Sequence, residues 1–182
     1  MMNENTKFGR WLTLATLSRF KLERYSRPRF VGKVEVPTTL NELTIGQIIE
    51  LSELKDDNES LYKICEIVLG MERKAVRNAR AVDVVRFIGW VYDEVERINK
   101  LFSKTDNKPT AREQRAGIER LRFGLFGMLD WYAVRMGITN HDDVLQVPWM
   151  RIYKCMQMDN EKRAYEIRLN KVAAEEMKHN RR

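Results

Sequence analysis

The sequence predicts an all-α protein, a helical bundle of five to six helices behind an extended, basic N-terminal arm with room for one short strand. Three observations lead there. After residue 40, apolar residues recur at three- and four-residue steps, the period of a buried helix stripe. Thr44 and Thr110 each stand three residues before Gln47 or Glu113, the spacing of a capping box that opens a helix. Gly70 and Gly137 follow two of the apolar stripes, where glycine enters the left-handed cap without a Cβ penalty. The expected organisation is an arm over residues 1–40 and a helical domain over 41–182, with a frayed or solvated tail from about residue 173.

Within the arm, Trp11, Leu12, Leu14, Ala15, Leu17, Phe20 and Leu22 are interleaved with Arg10, Arg19, Lys21 and Arg24, which predicts an amphipathic helix from about Phe8 to Glu23. Next, Phe30, Gly32, Val34 and Val36 fall on one side of an extended chain, and Arg29, Val31, Lys33 and Glu35 on the other, the alternation of a strand. Pro28 and Pro37 bracket it and deny it a sheet interior. A strand without a partner in its own chain is an extended arm or adds to another protein's sheet edge. The alternative is a leading segment folded back over its own helices.

The helical domain opens at Thr44, with Ile45, Ile48, Ile49 and Leu51 on the buried face. A turn at Lys55–Asn58 leads to a helix from about Glu59 to Leu69, with Leu61, Ile64, Cys65 and Val68 inward. The basic stretch ERKAVRNAR follows. Arg73, Lys74, Arg77 and Arg80 there form either the wet face of a connecting helix or a patch of phosphate contacts. A long helix covers about Val82–Phe102, and SKTDNKP is the clearest loop. The stripe Ile118, Leu121, Leu125, Met128, Leu129, Tyr132 and Met136 requires a partner surface. Gly124 and Gly127 lie inside it, each costing about 0.5–1 kcal/mol against alanine, and close approach of another backbone would compensate. Pro148 suits the first turn of a last helix, whose inner face runs through Trp149, Ile152, Tyr153 and Met156 and on through Tyr165, Ile167, Leu169 and Val172.

Charge is unevenly placed. The net charge is +7, yet residues 1–40 hold eight Lys or Arg against three Glu, while residues 41–70 hold two against seven acids. A basic arm leading into an acidic hairpin suits docking onto a charged neighbour or onto the next copy, because opposite patches steer and register contacts. Chemistry is poorly supplied. His141 and His179 have no second histidine or cysteine at metal-ligand spacing, no phosphate-cradling glycine loop follows a strand, and no serine has a nucleophile-elbow context. No enzymatic activity, cofactor or metal is expected. Cys65 and Cys155 fall at apolar helical positions, as small buried side chains would. No apolar run reaches the roughly 18 residues of a membrane span, and a soluble protein without membrane association, intracellular where it is made, is expected. A large aromatic in a basic segment is a typical binding anchor, so Trp11, Arg19, Phe20, Arg24, Arg27, Arg29, Phe30 and Val34 are the expected partner-binding residues.

Taken together, LTIGQIIELSEL, ICEIVLGM, VDVVRFIGWVYDEVERINKLF and AGIERLRFGLFGMLDWYAVRMGI, followed by DDVLQVPWMRIYKCMQMDNEKRAYEIRLNKV, resemble small helical proteins of bacteriophage structural gene blocks. The Leu43–Leu54 motif and the DDVL-x-x-PW-x-x-x-Y pattern are similar to tail-assembly chaperones. Glu94–Phe102 and Phe123–Gly137 are closer to virion proteins of crAss-like phages. The resemblance implies a non-enzymatic virion structural protein, a ring, adaptor or internal component at the portal or tail junction. Its partners would be portal, ring or tail proteins, further copies of itself and, without sequence specificity, packaged DNA. The alternatives are a tail-assembly chaperone and a non-specific nucleic-acid-binding protein.

Overall fold

The computed structural model describes residues 6–14, 26–55, 57–105, 109–121 and 123–179. The fold is mostly helical, with one short two-stranded sheet. In chain order the elements are α1 (Phe8–Leu14), β1 (Phe30–Val31), β2 (Val34–Glu35), α2 (Ile45–Glu53), α3 (Asn58–Leu69), α4 (Arg73–Asn78) and α5 (Ala81–Ser103). Then follow α6 (Ala111–Arg115), a 3-10 turn (Ile118–Arg120), α7 (Gly124–Met136), α8 (His141–Leu145) and α9 (Trp149–His179). The chain divides into two compact units, Met1–Asn99 and Lys100–Arg182.

In the first unit, the expected single strand is instead a tight antiparallel hairpin pairing Phe30 with Glu35 and Val31 with Val34. Gly32, at φ +61°, supplies the left-handed residue that a two-residue hairpin turn demands. The glycine folds the strand onto itself, so its partner lies in the same segment. The side expected to carry Phe30 and Val34 leaves Phe30 exposed, while Val31 is fully buried and joined in the core by Val36 and Leu40. The leading segment folds back over the helices of its own unit. Phe8 has no exposed surface, stacks edge-on against Tyr62 at 5.8 Å, and donates its N–H to the Ala79 carbonyl at 2.9 Å. Of the amphipathic helix expected to reach Glu23, α1 supplies Phe8–Leu14, and residues 15–25 lie outside the described residues.

The Thr44 capping box is present in both directions, Gln47 N–H to the Thr44 hydroxyl and the Thr44 N–H to the Gln47 side chain at 2.9 Å. Asp57 caps α3 through the Ser60 N–H, and Gly70 closes it in the left-handed conformation. Val84, Phe87, Ile88, Val91 and Ile98 of α5 complete the core.

In the second unit, the single helix expected from the Thr110 capping box to the stop at Gly137 is broken into α6, the 3-10 turn and α7. Gly117 at φ +81° and Gly124 at φ +55° turn the chain where a continuous helix would need negative φ. This corrects the reason expected for the inner glycines. A Cβ on Gly124 would meet nothing within 4 Å, and its role is conformational; on Gly127 it would lie 2.5 Å from the Cβ of Phe123, a side chain at the start of its own helix. The core here is Trp149, Ile152, Tyr153, Leu129, Tyr132, Ala133 and Val144, with Phe102 against Trp149 and Tyr153. The Thr110–Glu113 capping box is present, and Arg163 of α9 donates to the Glu113 carboxylate. Past residue 173 α9 continues as helix to His179, with its last turns exposed, as the solvated form of the expected tail would be.

Candidate interaction surfaces

The first surface lies where the hairpin meets the α4–α5 junction. Thr6 and Phe8 clamp that junction, Ala81 N–H donating to the Thr6 carbonyl at 2.7 Å and Phe8 N–H to Ala79. The Arg27 guanidinium donates to the Val36 carbonyl at 2.6 Å, which ties the start of the hairpin segment to its end. Val76, fully buried, anchors the short helix α4 and turns Arg73, Lys74, Arg77 and Asn78 outward. Between these elements is a cleft of about 680 Å³ lined by Arg27, Arg29 and Phe30 on one wall and by Asn78, Arg80, Asp83 and Arg86 on the other. Asn78 also lines a neighbouring depression of about 480 Å³ with Arg73, Lys74 and Arg77. Arg77 lies along α1, where a Cβ on Gly9 would meet its side chain at 3.1–3.3 Å.

The structure thus brings together two residue sets that the sequence presents separately. Arg27, Arg29 and Phe30, from the expected partner-binding group, share one surface with Arg73, Lys74, Arg77 and Arg80, the expected phosphate group, because the cleft and its neighbouring depression meet at Asn78. Val34 is half-buried in β2 and does not line the cleft; Trp11 lies in α1, and Arg19, Phe20 and Arg24 lie outside the described residues. Arg86 is the lining residue that sequence reasoning missed. Its signal is the spacing Arg80, Asp83, Arg86, three-residue steps that share a helix face. Arg80 is paired with Asp83 at 2.7 Å, and the Arg29 guanidinium lies 5.3 Å from the Phe30 ring centre.

Beside it, the acidic hairpin α2–α3 lines a wider depression of about 810 Å³ with Glu53, Asp57, Glu59, Glu66 and Glu72. Several of its carboxylates are engaged internally. Glu59 accepts from both terminal Arg73 nitrogens at 2.7 and 2.8 Å, and Lys63 bridges Glu50 and Glu66 at 3.4 and 3.3 Å. Asp57 accepts from the Ser60 amide, which holds its carboxyl below the usual range.

The second unit exposes apolar side chains on two of its elements. Leu121, Phe123, Leu125, Phe126 and Met136 are exposed, Phe123 by 67% and Phe126 by 63%. Along α9, Met158, Tyr165, Leu169 and Val172 are also half or more exposed. These include residues expected to face inward. Their four- and seven-residue spacing does mark one helix face, but it is the face opposite Ile152 and Tyr153, and no element among the described residues of the unit covers it. Spacing identifies a stripe and is silent about what lies against it.

Residues with chemical potential are dispersed. His141 contacts Asp130 at 3.2 Å and lies over Phe126, with ring centres 5.0 Å apart. Among the described residues no group of three His, Cys, Asp or Glu is placed to hold a metal ion, and no helix is long and apolar enough to cross a membrane. No family model, no curated protein and no solved structure matches the chain.

Proposed function

We propose that the protein is a non-enzymatic structural component of a bacteriophage particle, a ring or adaptor at the head-to-tail junction that works through protein–protein contacts and self-association. The observation that carries this reading is the apolar face of the second unit. Side chains such as Phe123, Phe126, Leu169 and Val172, half to two-thirds exposed, would each gain about 1–2 kcal/mol on burial of what is still exposed, and exposed apolar groups collected on one unit are what a binding surface requires. The reading assigns the scaffold to the longest described helices, α2, α3, α5, α7 and α9, and gives the stretch with Arg19, Phe20 and Arg24, outside the described residues, the part of contacting a neighbouring subunit. The resemblance to phage structural proteins supplies the setting, the virion.

Mass spectrometry of purified particles tests it. The protein is expected at a fixed multiple copy number, and its absence from mature particles overturns the structural reading. A tail-assembly chaperone is the second reading, favoured by the same apolar face, which would shield a partner helix until assembly ends. Co-expression that keeps a long tail protein in solution, combined with absence from the particle, is the outcome that selects it.

A further inference from the structure

We infer that the cleft between the β1–β2 hairpin and the α4–α5 junction binds the sugar–phosphate backbone of double-stranded DNA. The inference stands on the first unit alone and does not require the assembly reading.

Three features converge. First, the walls are cationic from separate parts of the chain: Arg27 and Arg29 from the hairpin segment, Arg80 and Arg86 from the start of α5, with Lys74 and Arg77 of α4 continuing past Asn78. A run of positive groups over two adjoining depressions matches a polymer of anions better than a single phosphate. Second, the positive groups are mostly arginines, whose planar guanidinium donates two parallel hydrogen bonds to one phosphate. Asp83, the acid in the cleft, is engaged by Arg80. Third, another copy of this chain is a poor occupant. Each copy carries a net +7, and four carboxylates of the acidic hairpin that would have to meet the cleft are already engaged, Glu50 and Glu66 with Lys63, Glu59 with Arg73, and Asp57 in capping α3. Phosphate contact reads no bases, so the binding should be indifferent to sequence.

The full-length protein is titrated against two fluorescein-labelled DNA duplexes of equal length and unrelated sequence, followed by anisotropy from low to physiological salt. Expected are equal affinities for both duplexes and a log–log fall of affinity with salt, with a slope of about −0.9 per phosphate neutralised. The triple variant Arg29→Ala, Arg77→Ala, Arg86→Ala should flatten that slope by about 3, one for each contact removed. All three side chains are exposed, and circular dichroism checks that the fold is kept. A control triple variant on α9, Lys162→Ala, Arg168→Ala, Lys171→Ala, removes the same charge and should leave the slope unchanged. Equal losses in both variants, no binding at low salt, or tighter binding to poly-glutamate than to DNA each overturn the inference. So does a cleft variant that changes the sedimentation mass and leaves DNA affinity intact, which would make a second copy the occupant. A chain that binds DNA yet is missing from particles sinks the assembly reading and leaves this one standing; a chain present in particles that does not bind DNA does the reverse.

Discussion

At Gly127, a methyl group would have to share space with the Cβ of Phe123 at 2.5 Å, a separation that neither backbone-attached atom can relieve by rotating. Gly127→Ala should therefore destabilise the protein by about 1–3 kcal/mol through overpacking, despite the gain of up to about 1 kcal/mol in helix propensity. Urea unfolding measures it, and a stabilised variant would refute the packing account. Phe8 gives the opposite case, a side chain with nothing exposed whose removal leaves a hole against Tyr62; Phe8→Ala should cost about 3–5 kcal/mol. Burial pushes the Cys65 thiol up to about 12, since the thiolate has no solvation there. Iodoacetamide under mildly alkaline conditions should leave Cys65 unmodified in the native protein and alkylate it in denaturant, as peptide mass mapping would show. The inward place of Cys65 is readable from its spacing, whereas Phe8 shows its burial only once the leading segment folds back onto α3 and α4. The clash at Gly127 is not, because it depends on where Phe123 sits after the chain has turned at Gly124.

Helix ends are the elements most legible in the sequence. Both capping boxes, at Thr44 and Thr110, follow from a side-chain oxygen and a glutamine or glutamate three residues on, a local geometry that needs no tertiary information. Thr44→Ala should cost about 1 kcal/mol in unfolding experiments. Glu113 has its carboxyl held below the ordinary range by the Thr110 amide and hydroxyl and by Arg163, and Asp57 is lowered by Ser60. The ionised forms are the ones the folded state prefers. Their contribution is present above the usual carboxylate range and is lost as pH falls through the lowered folded values. Thermal unfolding followed from neutral pH down through the carboxylate range should show wild type losing more stability than a Glu113→Gln, Asp57→Asn variant, whose caps do not titrate. What escapes reading at this scale is chain reversal. The β1–β2 hairpin and the break between α6 and α7 both turn on glycines with positive φ, and an apolar period runs across such a turn as though the element continued.

For the whole molecule, the division at Asn99 and Lys100 puts the basic cleft and the apolar face in different units. The cleft is half legible: its arginines are visible in the sequence, but their meeting depends on the hairpin folding back, a long-range event that spacing does not encode. The apolar face of the second unit reads as core, because the pattern of a stripe is the same whether its cover is intramolecular or supplied by a partner. Under the proposed assembly, replacing Phe126 and Leu169 by Asp should lower the sedimentation mass of the concentrated protein and weaken self-association by about fivefold or more per residue, on the scale of about 1–2 kcal/mol for burying what is still exposed. An unchanged mass would remove this face from any role in oligomerisation.

With 31 residues, α9 extends about 47 Å at about 1.5 Å per residue, and beyond Arg163, which still holds Glu113, its outer turns are mostly exposed. Such turns open easily, so their amide protons should trade for deuterium within seconds in the isolated chain. The same protons, covered by a neighbour, would be retained far longer. Under the proposed assembly, protection of the distal third of α9 would report, one peptide at a time, when a neighbour docks.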